Sequence, residues 1–204
     1  MIERDPAQLN LISPVARSEF ILGGQKSGKS HRAELLACSW LQQSSAHRAV
    51  LLATAQPWDE EMRQRITRHQ HDRTKRVPGL QTVEEPLELA QALTLHSQRH
   101  TLVVVDCLTL WLTNWLMPAE EFKKNEALAQ EGPAQAAMLF RAIEAASGPL
   151  VLVGNEIGLG VIPMGRETRA FVDALGRLNQ DVARRCQRVT LMAAGLPLTL
   201  KGAP

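Results

Sequence analysis

Short apolar runs alternate along this chain with longer segments of helical pattern, and this alternation constrains the fold more than any other feature. Each run has the length and the β-branched content of a strand that is buried on both faces. The runs are FIL at 20–22, AVLLATA at 49–55, TLVVVD at 101–106, LVLVG at 150–154 and VTLMAAG at 189–195. Strands that alternate with helices predict an α/β domain in which helices cover both faces of a mostly parallel sheet.

The predicted helices fill the gaps between these strands. They cover residues 29–43, 58–71, 86–98, 107–117, 133–146 and 166–186. PLTLK at 197–201 predicts a last edge strand. The polar stretch 118–132 lacks an apolar stripe and is interpreted as a solvent-exposed excursion, a segment that leaves the core of the domain. Because no linker or repeat divides the chain, we expect a loosely ordered N-terminal extension over residues 1–17 and a single domain over residues 18–204.

Composition excludes several classes of function. The chain has 204 residues and is 45% hydrophobic, which is enough for one core. Its 23 basic and 21 acidic residues are intermixed, so the charge predicts neither nucleic acid nor a membrane surface as partner. The widely spaced Cys38, Cys107 and Cys186 predict reduced thiols in a cytoplasmic protein. No apolar run reaches the roughly 18 residues of a membrane-spanning helix.

The segment GGQKSGKS directly follows the first predicted strand and matches the phosphate-binding P-loop, G-x-x-x-x-G-K-[ST]. Two glycines allow the backbone to turn consecutive N–H groups toward phosphate oxygens. Lys29 is predicted to reach the β- and γ-phosphates, and Ser30 is predicted to place its hydroxyl on Mg²⁺ at the positive end of a helix. The predicted nucleotide-binding residues of this loop are Gly23, Gly24, Gln25, Lys26, Ser27, Gly28, Lys29 and Ser30.

A carboxylate across the sheet is needed to hold hydrated Mg²⁺, and Asp106 at the end of TLVVVD supplies one. An additional interpretation is that Asp106 caps the helix that follows it. Together with the P-loop, this strand predicts a P-loop NTPase-like, RecA-like α/β fold. The sequence lacks an NKxD motif and a separate transporter signature, which favours a small-molecule transferase over a switch or a motor.

The segment RITRHQHDR at 65–73 places two histidines among arginines. His69 and Arg73 are four residues apart and would share one face of a helix. A neutral imidazole can attack phosphorus, and a guanidinium can neutralise the phosphate oxygens as charge develops. Composition alone favours a solvent-exposed basic face. A metal site at His69 and His71 is the weakest interpretation, because only Asp72 adds a nearby ligand.

The segment NEIGLGVIP follows the fourth predicted strand. Gly158 and Gly160 allow a close backbone approach, while Asn155 and Glu156 lie at the carboxyl end of a parallel strand, where ligands of open α/β sheets bind. A tight structural turn with a capping asparagine is the alternative.

Seven segments in this order make the chain resemble the adenosylcobinamide kinase / adenosylcobinamide-phosphate guanylyltransferase family from about residue 19 to 201. They are GGQKSGKS, LLATAQPWDEEMRQRITRHQHDR, TVEEPLEL, VVVDCLTLWLTNWL, VLVGNEIGLGVIP, GRLNQDVA and AAGLPLTLK. The resemblance implies a bifunctional, cytoplasmic enzyme of adenosylcobalamin biosynthesis. It would phosphorylate adenosylcobinamide with ATP or GTP in the presence of Mg²⁺. It would then transfer GMP from GTP to adenosylcobinamide phosphate through a guanylylated histidine, giving adenosylcobinamide-GDP, and would assemble as a trimer.

The resemblance also assigns roles to individual residues. The family pattern R-I-x-x-H-x-x-x-R places the nucleophilic histidine at His69, with His71 in the variable stretch after it. The nucleotide contacts that it implies outside the P-loop are Ala53, Thr54, Ala55, Gln70, His71, Asp72, Arg73, Glu84 and Asp106. Two positions depart from the family: Leu80, in a predicted loop, stands where a tryptophan is common, and Arg68 stands where some members have a second histidine. A nucleotide-dependent switch without covalent chemistry is the alternative function.

Overall fold

The computed structural model describes residues 14–57, 60–117 and 126–203, and its strands form one seven-stranded sheet. The strands are β1 Ser18–Gly23, β2 Arg48–Ala53, β3 Leu80–Glu84, β4 Thr101–Asp106, β5 Leu150–Val153, β6 Arg188–Ala193 and β7 Leu196–Lys201. Their order is β3-β2-β4-β5-β1-β6-β7. All neighbours are parallel except β6 and β7, which form an antiparallel pair at one edge. The predicted α/β, P-loop NTPase-like class is confirmed.

Six helices connect the strands in the part of the chain that the structure describes. They are α1 Lys29–Gln43, α2 Glu60–Arg76, α3 Leu89–His96, α4 Leu108–Leu116, α5 Glu126–Ala145 and α6 Arg166–Arg185. The predicted start of α2 at residues 58–59 lies outside the described residues, as do residues 118–125 of the predicted excursion and residues 1–13 of the predicted extension. The boundary between extension and domain at residue 18 stays a prediction.

Two predictions about these elements are wrong. Residues 126–132 were expected to belong to a solvent-exposed excursion, but they form the first turns of α5. Their sequence, EALAQEG, is rich in strong helix formers, which an apolar-stripe criterion does not detect. Leu80 was expected in a loop, yet it begins β3, which pairs with β2 from Ala49↔Leu80 to Ala53↔Glu84. As an edge strand with mostly exposed side chains, β3 lacks the continuous apolar run of a buried strand.

The core lies on both faces of the sheet because successive side chains of a strand point to opposite sides. On one face, Phe20, Val103 and Leu152 pack in a cluster that includes residues of α3 to α6, among them the buried indole of Trp111. On the other face, Ile21, Leu51, Val104 and Val151 pack with Leu36 and Ala37 of α1. The predicted cover of helices on both faces is confirmed. No helix among the described residues is long and apolar enough to span a membrane.

The sheet order brings the chemistry-bearing segments to one edge. Strand β5 lies between β1, which leads into the P-loop, and β4, which ends at Asp106. Because β1 to β6 run parallel, the segments that follow β1, β2, β4 and β5 all leave the sheet at the same side. Ligands of open α/β sheets bind at this carboxyl edge.

Candidate active site

The loop between β1 and α1 has the backbone of an anion-binding cradle. Gly28 adopts a left-handed conformation with φ of 101° immediately before the first residue of α1. A Cβ atom at Gly23 would lie 2.5 Å from the carbonyl oxygen of Met192 and 2.6 Å from the Ser27 Oγ. These two positions therefore require glycine, one for its conformation and one for space. The local motif predicted both, and the loop leads directly into the N-terminus of a fifteen-residue helix.

The side chain of Lys29 folds back over this loop. Its Nζ donates to the carbonyl oxygen of Gly24 at 2.6 Å and lies 3.5 Å from the Ser27 Oγ, and only 7% of the residue is exposed. Burial lowers the pKa of the Lys29 ammonium below its usual value, while the charges of Cys107 and Asp106 act to raise it. A phosphate oxygen that enters the cradle can replace the two protein acceptors around this ammonium.

Two other segments support the P-loop by donating to its carbonyl oxygens. The amide of Gly195, in the turn between β6 and β7, donates to the Ser27 carbonyl oxygen at 3.0 Å. The amide of Glu156, after β5, donates to the Gly23 carbonyl oxygen at 3.1 Å. The terminal hairpin also packs closely, since a Cβ at Gly28 would lie 3.3 Å from the Gly195 Cα. Sequence reasoning missed these contacts, which join segments far apart in the chain.

Asp106 is the last residue of β4 and is partly exposed at the carboxyl edge. Its charge contributes to the pKa of Lys29, which shows that the carboxylate and the ammonium belong to one electrostatic environment. The N-cap of α4 is Cys107 rather than Asp106, so the capping interpretation of Asp106 is wrong. Its carboxylate therefore stands at a strand end, as a P-loop site requires of the residue that holds the hydrated metal.

Thr54, predicted as a nucleotide contact, is completely buried and bonded to protein through all of its polar groups. Its hydroxyl donates to the Cys107 carbonyl oxygen at 2.7 Å and accepts from the Cys107 amide at 2.9 Å. Its amide donates to the Asp106 carbonyl oxygen at 3.2 Å, and its own carbonyl oxygen accepts from the Asn114 Nδ2 at 2.9 Å. Thr54 thus holds the carbonyl oxygen of Asp106 together with the amide and the carbonyl oxygen of Cys107, the next residue. Its neighbours Ala53 and Ala55 are partly exposed beside it.

The residues predicted to hold Mg²⁺ provide a suitable donor set. Ser30 lies in the first turn of α1 and brings a hydroxyl, while Asp106 brings a carboxylate. Mg²⁺ prefers oxygen ligands and usually keeps several waters and substrate phosphate oxygens, so one or two protein ligands suffice. Throughout the described ranges, no group of three or more His, Cys, Asp or Glu residues could hold a metal by itself. A hydroxyl and a carboxylate suit a Mg²⁺ ion that takes its remaining ligands from water and substrate phosphates.

His69 lies in α2, and its side chain is outside the described part of the structure. One turn later, Arg73 is 7% exposed and places its Nε 3.7 Å from the Glu34 Oε1, at ion-pair distance but without a hydrogen bond. The Arg76 Nε lies 2.8 Å from the Glu34 Oε2. Glu34 is in the second turn of α1, so these pairs hold α2 against the half of α1 that begins at the P-loop. Sequence reasoning did not identify Glu34.

The other predicted contacts on and near α2 are only partly brought together. The Gln70 Nε2 donates to the Glu84 Oε1 at 2.8 Å, which joins α2 to the end of β3. His71 and Asp72 are exposed on the same helix, and His71 lines a shallow surface hollow with Arg63, Arg68 and neighbouring residues of α2. The predicted residues thus form two groups, one at the P-loop edge and one on α2, with Glu34 between them.

Comparison with known proteins identifies the family of this chain. A family model described as "Cobinamide kinase / cobinamide phosphate guanyltransferase" matches residues 19–200. The bifunctional adenosylcobalamin biosynthesis protein CobP of Pseudomonas aeruginosa is 42% identical over 186 residues, which cover 91% of this chain and 98% of the relative. The CobU proteins of Escherichia coli and Salmonella typhimurium carry the same bifunctional description. Each is 30% identical over 187 residues, which cover 89% of this chain and 98% of the relative. The chain therefore belongs to the cobinamide kinase / cobinamide phosphate guanyltransferase family.

Proposed function

We propose that this enzyme phosphorylates adenosylcobinamide with ATP or GTP and then transfers GMP from GTP to the adenosylcobinamide phosphate. The first step releases a nucleoside diphosphate, and the second releases diphosphate and gives adenosylcobinamide-GDP. The observation that carries the proposal is the P-loop, over which the buried Lys29 side chain folds back, in a chain of this family. Both steps require the phosphates of a nucleotide to be held, and this loop is built to hold them.

In the kinase step, the substrate hydroxyl oxygen attacks the γ-phosphorus and the bond to the β–γ bridging oxygen breaks. The hydroxyl proton passes to solvent or to a nearby base. The Lys29 ammonium and the loop amides stabilise the negative charge on the transferring group, which is the main catalytic requirement of phosphoryl transfer. Mg²⁺, when bound by Ser30 and Asp106, would neutralise charge on the β- and γ-oxygens.

In the guanylyl step, an imidazole nitrogen of His69 attacks the α-phosphorus of GTP, and diphosphate leaves. A phosphate oxygen of adenosylcobinamide phosphate then attacks the same phosphorus and displaces the imidazole. The position of α2 supports this assignment, because Arg73 and Arg76 bind Glu34 in the second turn of α1. His69, one turn from Arg73, is therefore on a helix that is tied to the phosphate-binding end of α1.

Labelled GTP tests the covalent step directly. With Mg²⁺ and GTP labelled at the α-phosphate, we expect label to remain on the denatured protein, in an acid-labile and base-stable bond, whereas γ-label should not remain. His69→Ala should abolish the labelling and keep part of the kinase activity, because phosphorylation of a hydroxyl needs no covalent relay. His71→Ala is the matched control and should keep much of the labelling.

Two outcomes would contradict this mechanism. Label that survives in His69→Ala but is lost in His71→Ala would move the nucleophile to His71. Wild-type protein that retains no α-label would exclude the guanylyl-histidine and leave a P-loop kinase or a nucleotide-dependent switch.

A further inference from the structure

The loop between β5 and α6 exposes a concentration of large apolar side chains. The exposed fractions are 41% for Ile157, 82% for Leu159, 97% for Val161, 76% for Ile162 and 94% for Met164. Single exposed apolar residues are ordinary, but five within eight positions of one loop are a concentration that indicates an interaction site. None of these side chains takes part in the nucleotide chemistry described above.

The base of this loop is fixed at the phosphate site. The Asn155 amide donates to the Thr109 Oγ1 at 2.8 Å, and the Asn155 carbonyl oxygen accepts from the Asn179 Nδ2 at 3.1 Å. The next amide, from Glu156, donates to the carbonyl oxygen of Gly23, the first residue of the P-loop. The apolar surface therefore starts one residue after a direct contact with the P-loop. A molecule bound at the start of this surface would lie next to the P-loop.

A groove of about 540 Å³ separates this loop from α6. Its volume is in the range of small-molecule sites, which combine apolar walls with a few polar groups. Ile157, Val161 and Ile162 line the loop side, whereas Asp173, Arg177 and Gln180 line the α6 side. The far end of the loop is held as well, because the Arg169 guanidinium donates to the carbonyl oxygens of Pro163 and Met164.

We propose that this groove binds the corrin ring of the acceptor, an inference that rests on the function proposed above. A corrin ring is a broad, mainly apolar plate with amide side chains around its rim. The loop offers an apolar face for the plate, and Asp173, Arg177 and Gln180 offer donors and acceptors for rim amides. With the ring in the groove, its hydroxyl-bearing arm extends toward the P-loop across the Glu156–Gly23 contact.

This placement predicts that the loop affects acceptor binding and not nucleotide chemistry. We would replace Val161 and Ile162 together by serine, and use Leu95→Ser as the matched control, because Leu95 is 70% exposed on α3. In the double variant, the KM for adenosylcobinamide in the kinase reaction should rise by on the order of tenfold or more, since apolar contacts of a few methylene groups are lost. The KM for GTP should stay unchanged, as should histidine labelling by α-labelled GTP without corrinoid.

Calorimetric titration with adenosylcobinamide, in the absence of nucleotide, supplies a readout besides activity. The double variant should lose affinity by the same factor, and Leu95→Ser should bind as the wild type does. A double variant with wild-type affinity and KM for the corrinoid would overturn the inference. Light scattering could instead show that the double variant assembles differently, with the KM values for adenosylcobinamide and GTP raised equally. That result would assign the loop to contacts between copies of the chain and would also overturn the inference. Failure of the wild type to phosphorylate adenosylcobinamide refutes the proposed function itself, which distinguishes the two failures.

Discussion

Glu34 provides the sharpest test of how the P-loop helix and the histidine-bearing helix are joined. It is 3% exposed and its carboxylate neutralises Arg73, which is 7% exposed, together with Arg76. Glu34→Ala would leave the Arg73 guanidinium buried without a counter-charge, a change that typically costs about 3 to 5 kcal/mol. We expect about 3 kcal/mol here, because Arg76 is 43% exposed and can turn to solvent, and because Arg73 makes no hydrogen bond to the carboxylate.

For a domain of this size, 3 kcal/mol corresponds to a fall in Tm of roughly 6 to 12 °C. Urea unfolding followed by circular dichroism measures the free energy directly. The matched control is Glu144→Ala, since Glu144 also pairs with an arginine, Arg185, but is 58% exposed, and we expect it to cost about 1 kcal/mol or less. In a double variant, Glu34→Ala with Arg73→Met should recover part of the loss, because the orphaned charge is removed.

The same variant has a functional readout. Because Glu34 holds α2 against α1, labelling of His69 by α-labelled GTP should slow more than phosphorylation of adenosylcobinamide, measured at a temperature where the variant is folded. A Glu34→Ala protein within about 0.5 kcal/mol of the wild type would refute the reasoning, since the buried pair would then be energetically neutral. Equal loss of the two activities would refute the proposed role in placing α2.

Four further predictions concern the phosphate site and the buried thiols. Lys29→Ala should reduce both activities by on the order of a hundredfold or more without unfolding the protein, and kinase turnover near wild type would exclude this loop as the phosphate site. Asp106→Asn should weaken Mg²⁺-dependent turnover more than metal-free nucleotide binding, and an unchanged Mg²⁺ titration would remove Asp106 from the metal site. Burial raises the pKa of Cys107 to about 11 and that of Cys186 to about 12, so a thiol reagent at pH 8 should label both only after urea is added. These folded-state pKa values exceed the unfolded value near 9. The free energy of unfolding that the neutral thiols contribute should therefore be intact below pH 9 and decline as the pH rises toward 11. Equal free energies of unfolding at pH 8 and pH 10.5 would contradict this.

The sequence predicted those parts of the structure that have a local signature. Central strands such as β4 are buried on both faces, so their apolar runs are continuous and easily recognised. The edge strand β3 shows no such run, because most of its side chains face solvent, and it was missed for that reason. The start of α5 was missed because helix-forming residues there do not make an apolar stripe.

The same distinction applies to the site. The positions of the P-loop and of Asp106 in the fold were predictable, since a contiguous motif defines the first and the end of an apolar run defines the second. The bonds between Thr54 and Cys107 join residues 53 positions apart, and the bond from Asn114 to Thr54 joins residues 60 apart. No periodicity along one sequence encodes such pairs, because they arise only when the sheet brings strand ends together.

The placement of β1 in the sheet has a consequence for synthesis of the protein. β1 is made first among the strands, yet its two neighbours are β5 at residues 150–153 and β6 at residues 188–193. A growing chain therefore carries β1 without either partner until most of the domain has emerged, and such unpaired strands expose a nascent protein to misassembly. The amide of Gly195 also completes the support of the P-loop. Under the function proposed above, a nucleotide would therefore meet a fully supported P-loop only after the last hairpin has folded, and its binding would stabilise the completed domain.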